Sequence, residues 1–174
     1  MFHEVQGAPL YCYTSDKTFD PAKPTVVLIH GVLGDHSVWI WQARYLANHG
    51  FNVLAIDLPG HGRSGGEAPA SVEQAAATIA ALLDAAGAQK AALVGHSWGS
   101  LIAMEAAARL KGRVSHLALI GTAAPMKVSP ALIEASQSDP EAALRMINVF
   151  SRSTLASPTG AGLWVYGAST ALGR

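Results

Sequence analysis

Four short runs of apolar, β-branched-rich residues do most to limit what this chain can become: Thr25–Ile29 (TVVLI), Phe51–Ile56 (FNVLAI), Ala91–Val94 (AALV) and Leu117–Ile120 (LALI). None alternates polar with apolar, so each reads as a strand buried on both faces. Helical patterns lie between them. The first covers 37–48 and ends at Gly50. The second opens at Ser71, with Gln74 at a capping-box spacing, and stops near Gly87. The third follows Ser97 directly and ends at Lys111-Gly112, a cation and a glycine where a helix C-terminus prefers them. Strands alternating with helices predict an α/β fold, a mostly parallel sheet with helices on both faces. Phe2–Val5 and Leu10–Thr14 read as two antiparallel strands around Gln6-Gly7-Ala8-Pro9.

Beyond Gly121 the character changes. Ser129-Pro130 and Asp139-Pro140 each place a capping side chain before a proline at the first helical position, which predicts short helices over 130–137 and 140–150. The expected division is 1–124 for the core and 125–174 for a partial helical cap or tail. The tail holds one apolar patch, Leu163-Trp164-Val165-Tyr166.

Composition excludes several classes of function. Twelve basic and twelve acidic residues cancel, with no basic stripe of the kind nucleic acid needs. Apolar residues make up 50%, too many for a disordered chain. The one cysteine, Cys12, leaves no internal disulfide and no Cys-rich metal site. The longest stretch without Asp, Glu, Lys or Arg, Ser153–Gly173, is too rich in Gly, Ser and Thr to cross a lipid bilayer. The N-terminus lacks the basic and apolar regions of a signal peptide. The expectation is a cytoplasmic protein with no membrane and no nucleic-acid partner.

Chemistry concentrates at Gly95-His96-Ser97-Trp98-Gly99. A buried strand enters this segment and a helix leaves it, the arrangement of a nucleophile elbow. The glycines remove side chains that a turn so sharp would bring into collision. The turn lifts the Ser97 hydroxyl above the sheet edge and aims a helix N-terminus at it, which favours a developing oxyanion. A second segment, His30-Gly31-Val32-Leu33-Gly34, leaves its strand at that same edge. It can present the Val32 N–H beside the Trp98 N–H as a two-donor oxyanion hole, with His30, Gly31 and His96 lining the site. A third, Asp57-Leu58-Pro59-Gly60-His61-Gly62-Arg63-Ser64-Gly65, contains a formal G-x-G-x-x-G. No helix opens there until Ser71, so it reads as a rigid rim rather than a dinucleotide site, with Asp57 and Arg63 structural.

In this order the three segments resemble the α/β-hydrolase family, in its serine-nucleophile branch of esterases, carbon–carbon bond hydrolases and proline iminopeptidase-like enzymes. The resemblance spans about residues 1 to 150. It implies a sheet in the order 1-2-4-3-5-6-7-8, Ser97 as nucleophile, backbone donors from Val32 and Trp98, and a helical cap after strand six. It implies a small ester or acyl substrate and neither metal nor organic cofactor.

The family pattern also demands an acid and then a histidine after the serine. Downstream of Ser97 the chain offers His116 ahead of Asp139, Glu134 and Glu141, with Glu105 on the third helix. His116 is expected to open its strand, roughly 15 Å from the catalytic edge. The expectation is therefore a hydrolase portion lacking strands seven and eight, on the order of 80–100 residues at ~30 per strand–helix unit, and inactive or feeble alone. A non-catalytic binding module and one half of a split enzyme are the alternatives. The Leu117–Ile120 edge or the tail is expected to pair with another chain.

Overall fold

The computed structural model describes residues 1–150. Its elements are β1 (Phe2–Val5), β2 (Ala8–Tyr13), β3 (Thr25–Ile29), α1 (Ile40–Asn48), β4 (Asn52–Ile56), α2 (Val72–Ala85), β5 (Ala91–His96), α3 (Trp98–Leu110), β6 (Val114–Ile120), α4 (Pro130–Ser138) and α5 (Pro140–Phe150). Among the described residues the strands form one sheet in the order β1-β2-β4-β3-β5-β6. β1–β2 and β2–β4 pair antiparallel, and β4–β3, β3–β5 and β5–β6 pair parallel. The expected mostly parallel α/β sheet is present, in the strand order the resemblance implies for its first six positions.

Every residue of β3 and β4 is buried, which is why those runs are continuously apolar. Two apolar clusters divide the sheet's faces. One packs Val27, Ile29, Leu54, Ile56 and Leu93 with Ile79, Leu82 and Leu83 of α2 and Ile102 of α3. The other packs Val26, Leu28, Val53 and Ala55 with Trp39 and Ala43. Each fully buried Leu or Ile contributes about 1.5–3 kcal/mol relative to exposure.

Caps set the helix boundaries. Ser71 Oγ accepts the Gln74 N–H at 3.2 Å, and Gln74 reaches back to the Ala70 N–H at 2.8 Å. Ser129 Oγ accepts the Leu132 N–H, and Asp139 Oδ1 accepts the Ala142 N–H. One boundary differs from the helix expected over 37–48. Asp35 caps the segment after β3, and its first turn, His36–Trp39, is a 3-10 turn before α1 begins at Ile40. A second difference lies in β6, which begins at Val114, so His116 lies within the strand rather than opening it.

The chain divides into a compact unit Met1–Thr122 and a second unit beginning at Ala123, whose described part holds α4 and α5 packed together. The Leu163–Tyr166 patch lies outside the described residues. No helix among the described residues is long and apolar enough to cross a membrane.

Candidate active site

Ser97 stands between β5 and α3 with φ 53° and ψ −122°, in a region L-residues rarely occupy. Three hydrogen bonds hold it there. Its N–H donates to the Ile120 carbonyl of β6 at 2.9 Å. Its carbonyl accepts the Ser100 N–H at 2.9 Å and also the Ser100 hydroxyl. Ser100 is fully buried, so this anchor is fixed within the core. The flanking glycines are sterically required. A Cβ at Gly95 would strike the Gly99 carbonyl and lie 2.6 Å from the Ser100 Cα; one at Gly99 would strike the carbonyl oxygens of Ile29 and His30. Ser97 itself is half-buried, and among the described residues no group hydrogen-bonds its Oγ.

The loop after β3 closes on the same point. A Cβ at Gly31 would lie 3.1 Å from Ser97 Cβ and 3.2 Å from His96 Nδ1, so the Gly31 backbone lies against the elbow. The loop is tightened by the Gly34 N–H on the Gly31 carbonyl, with Leu33 at φ 56°. Among the described residues, neither the Val32 N–H nor the Trp98 N–H donates to a protein acceptor. The Trp98 N–H belongs to the first turn of α3, whose N–H groups have no partner within the helix.

His30 lies at the site and is already engaged. It is fully buried. Its Nε2 accepts the Leu58 N–H at 3.0 Å, which fixes the proton on Nδ1, donated to the Gly31 carbonyl at 2.7 Å. The ring joins the loop after β3 to the loop after β4. Burial pushes its pKa down to about 4. A protonated ring would also turn an N–H against that of Leu58. The folded pKa lies below the ordinary 6.5, so this contribution to stability is complete above pH 6.5 and is lost as pH falls toward 4. The expected loss is about 3 kcal/mol. His3 and His96, also lowered by burial, act in the same direction. Urea unfolding at a series of pH values measures the slope; His30→Gln should flatten it, and equal stability at pH 7 and pH 4.5 would contradict this account.

The other histidines are placed as follows. His61 Nδ1 donates to the Pro59 carbonyl at 2.9 Å, and its ring lies between His30 (5.2 Å between centroids) and Trp98 (6.2 Å). His36 Nδ1 bonds Asp57 Oδ1 at 2.8 Å. His49 bonds the Tyr45 carbonyl on the surface. His116 is exposed on β6, four residues before the Ile120 that anchors Ser97, so about 13 Å along the strand separates them.

The Asp57–Gly65 segment forms a braced loop. Asp57 is fully buried and accepts the His36 N–H at 2.6 Å and the Arg63 N–H at 2.8 Å. Ser64 Oγ donates to the Asp57 carbonyl and accepts the Tyr11 N–H. Arg63 bonds the Tyr11 hydroxyl and stacks over its ring. Asp35, His36 and Asp57 bring ligand-type atoms within 4.8 Å of one another. Asp35 Oδ1, His36 Nδ1 and both Asp57 oxygens bond protein groups, and among the described residues the Asp35 Oδ2 is buried and without a partner. Cys12 is buried within β2, its thiol pushed by burial to about 12, which makes it a poor nucleophile.

Sequence reading placed Ser97, Val32, Trp98, Gly31 and His96 at one edge of the sheet; the structure sets the Gly31 backbone against Ser97 and His96. It missed Ser100 and the His36–Asp57 pair. Ser100 has no signal beyond its place one turn into α3. Of the tryptophans, Trp39 is core, Trp98 packs on the larger cluster, and Trp41 is exposed.

The family model for the alpha/beta hydrolase fold matches residues 24–160. A dihydrolipoyllysine-residue acetyltransferase component of the acetoin cleaving system from Cupriavidus necator is 38% identical over 97 residues, 55% of this chain and 26% of that protein. Lipase LipV of Mycobacterium tuberculosis is 38% identical over 106 residues, 60% of this chain and 40% of that protein. The match thus spans between a quarter and two-fifths of these curated relatives. Among solved structures, a carboxylesterase of Nitrososphaera gargenis superposes with a TM-score of 0.78 at 20% identity, over 98% of this chain and 67% of that one. With the elbow at Ser97 in place and more than half of its length matched by the family model, the chain belongs to the α/β-hydrolase fold family.

Proposed function

We propose that this chain is the nucleophile-bearing portion of a serine hydrolase acting on carboxylic esters or related acyl substrates. The observation that carries the reading is the backbone of Ser97, held at positive φ between two glycines where an added Cβ would strike backbone, the residue itself half-buried. Backbone strain of this kind, about 1–3 kcal/mol, persists where the surroundings impose it and clusters at reactive sites. The lipase and carboxylesterase among the similar proteins agree with an ester substrate.

In this reading the Ser97 oxygen bonds to the carbonyl carbon while its proton passes to an imidazole. The carbonyl oxygen gains charge and is met by the N–H groups of Val32 and Trp98, at the positive end of α3. The tetrahedral centre collapses, the alcohol leaves with that proton, and water repeats the sequence to release the acid. The family pattern places the imidazole and its acid partner after the serine, and among the described residues His116 is the only histidine that follows Ser97, far along β6. Residues 151–174 contain no His, Asp or Glu. This chain alone is therefore expected to be nearly inactive, with only the rate residue of about 10³–10⁴ over water that an oxyanion hole supplies.

A fluorophosphonate probe tests the assignment because it needs the serine and the oxyanion donors rather than turnover. Slow covalent labelling at Ser97 is expected, absent in Ser97→Ala with an unchanged circular dichroism spectrum. Labelling that survives Ser97→Ala, or a folded wild type that takes no label on prolonged exposure, would refute it.

A further inference from the structure

We propose that Asp35, His36 and Asp57 form a binding site for a divalent cation of the zinc class, which clamps the loop after β3 to the loop after β4. The site is structural: it lies apart from Ser97, and the reaction proposed there needs no metal.

The three residues bring ligand-type atoms within 4.8 Å of one another. Asp35 and Asp57 are both 0% exposed. Buried carboxylates are ordinarily paired with a cation or bound to a metal. Among the described residues neither is paired with a lysine or an arginine, and the one ion-pair partner of Asp57 is His36. Two buried carboxylates thus share a single imidazole.

A second observation points to a missing ligand. Asp35 Oδ1 caps the following turn, accepting the Ser37 N–H at 2.8 Å, but its Oδ2 is buried with no partner among the described residues. The Ser37 Oγ, in the same turn, is buried and unpartnered as well. A buried acceptor left unmade costs about 1–3 kcal/mol, and more when charged. Since Asp35 is already enclosed, additional chain has no access to that oxygen.

The donor set selects the ion. One imidazole nitrogen and two carboxylate oxygens suit zinc, whereas calcium and magnesium prefer oxygen alone. At bonds of about 2.0–2.2 Å, adjacent ligands of one ion stand about 2.8–3.6 Å apart, from octahedral to tetrahedral. His36 Nδ1 and Asp57 Oδ1 are 2.8 Å apart, so an ion fits in place of the proton they share. That proton then moves to Nε2, which leaves the ring neutral. Asp35 closes the third side by drawing in on the order of 1 Å. The His36 and Arg63 N–H groups stay on the Asp57 carboxylate and orient it, as outer partners of a metal ligand do. Entry is from the His36 side, where the ring is 11% exposed.

The 174-residue chain, first stripped with a chelator, is titrated with zinc chloride while the unfolding midpoint and the nitrogen signals of the histidine rings are followed. The midpoint should climb with zinc concentration, as for any ligand of the folded state, and the His36 Nδ1 signal should move in step with it. Asp35→Asn keeps the cap oxygen and the volume but removes the orphan carboxylate oxygen, so its apparent zinc affinity should be at least about tenfold weaker. Equal zinc affinity in wild type and Asp35→Asn overturns the proposal. So does a midpoint that zinc leaves unchanged, or one that calcium or magnesium raises equally. Ring signals that move only at other histidines mean adventitious surface binding and overturn it too. If Asp35→Asn fails to fold, the wild-type ring signals decide.

Discussion

Gly99→Ala is expected to abolish the native fold. A Cβ at this position would land on the carbonyl oxygens of Ile29 and His30 and lie 2.9 Å from the Ile29 carbonyl carbon. These atoms belong to the last residue of a fully buried central strand and to the residue that follows it. No side chain can swing aside, so relief requires α3 to lift off β3 over its first turn. That would open the cluster holding Ile102, Ala103 and Ala106 and break the Ser100 anchor on Ser97. Overpacking in a flexible core costs typically 1–3 kcal/mol. A clash of backbone against backbone belongs to the exceptional class above about 4 kcal/mol, comparable with the whole stability of a domain, about 5–15 kcal/mol. Gly95→Ala should behave alike, since its Cβ would lie 2.5 Å from the Gly99 carbonyl carbon. Gly112→Ala is the control: nothing lies within 4 Å of its added carbon, and its stability should stay within about 0.5 kcal/mol of wild type. Urea unfolding followed by circular dichroism measures all three. A Gly99→Ala protein that unfolds cooperatively in urea within about 1 kcal/mol of wild type would show that the elbow is looser than its geometry states.

That steric argument also explains why so much of the fold could be read from the chain. Buried strands such as Thr25–Ile29 show as unbroken apolar runs because both faces exclude water. The elbow shows because its glycines are the only residues that fit. Both signals are local. The relations that escaped are not local, and each joins loops distant in sequence. His30 sits at the sheet edge as its position predicts, but the use of its ring is decided by Leu58, 28 residues away. Asp57 and His36 are separated by 21 residues and meet because β3 and β4 are neighbours in the sheet. Asp57 was legible as structural but its partner was not. The start of β6 was misplaced because Val114-Ser115-His116 is polar enough to read as a loop. Its pairing to β5, irregular between Ala91 and Leu93, extends the strand through those residues regardless.

Asp57→Asn should be the most damaging change outside the elbow that alters no shape. The carboxylate is fully buried and takes three donors: the His36 N–H at 2.6 Å and His36 Nδ1 at 2.8 Å on Oδ1, and the Arg63 N–H at 2.8 Å on Oδ2. Gly62 makes room for it, since a Cβ there would lie 2.5 Å from the Asp57 Cγ. Burial alone would raise its pKa. The hydrogen bonds from the His36 side chain and from the Arg63 and His36 N–H groups outweigh burial and hold it below the ordinary 3.8. An asparagine fills the same space but sets an NH₂ against donors on one side. The expected cost is about 3 kcal/mol, as for hydrogen bonds to a buried charged group left unmade. The sign with pH follows from the lowered pKa. The contribution of Asp57 is complete above pH 3.8 and is lost as pH falls through the folded value. The gap between wild type and Asp57→Asn should therefore be wide and constant from neutral pH down to about pH 4, and narrow below it. The loss belonging to His30 comes earlier, between pH 6.5 and 4, and is shared by both proteins. A gap that stays constant below pH 3.8 would place the cost in packing rather than in charge.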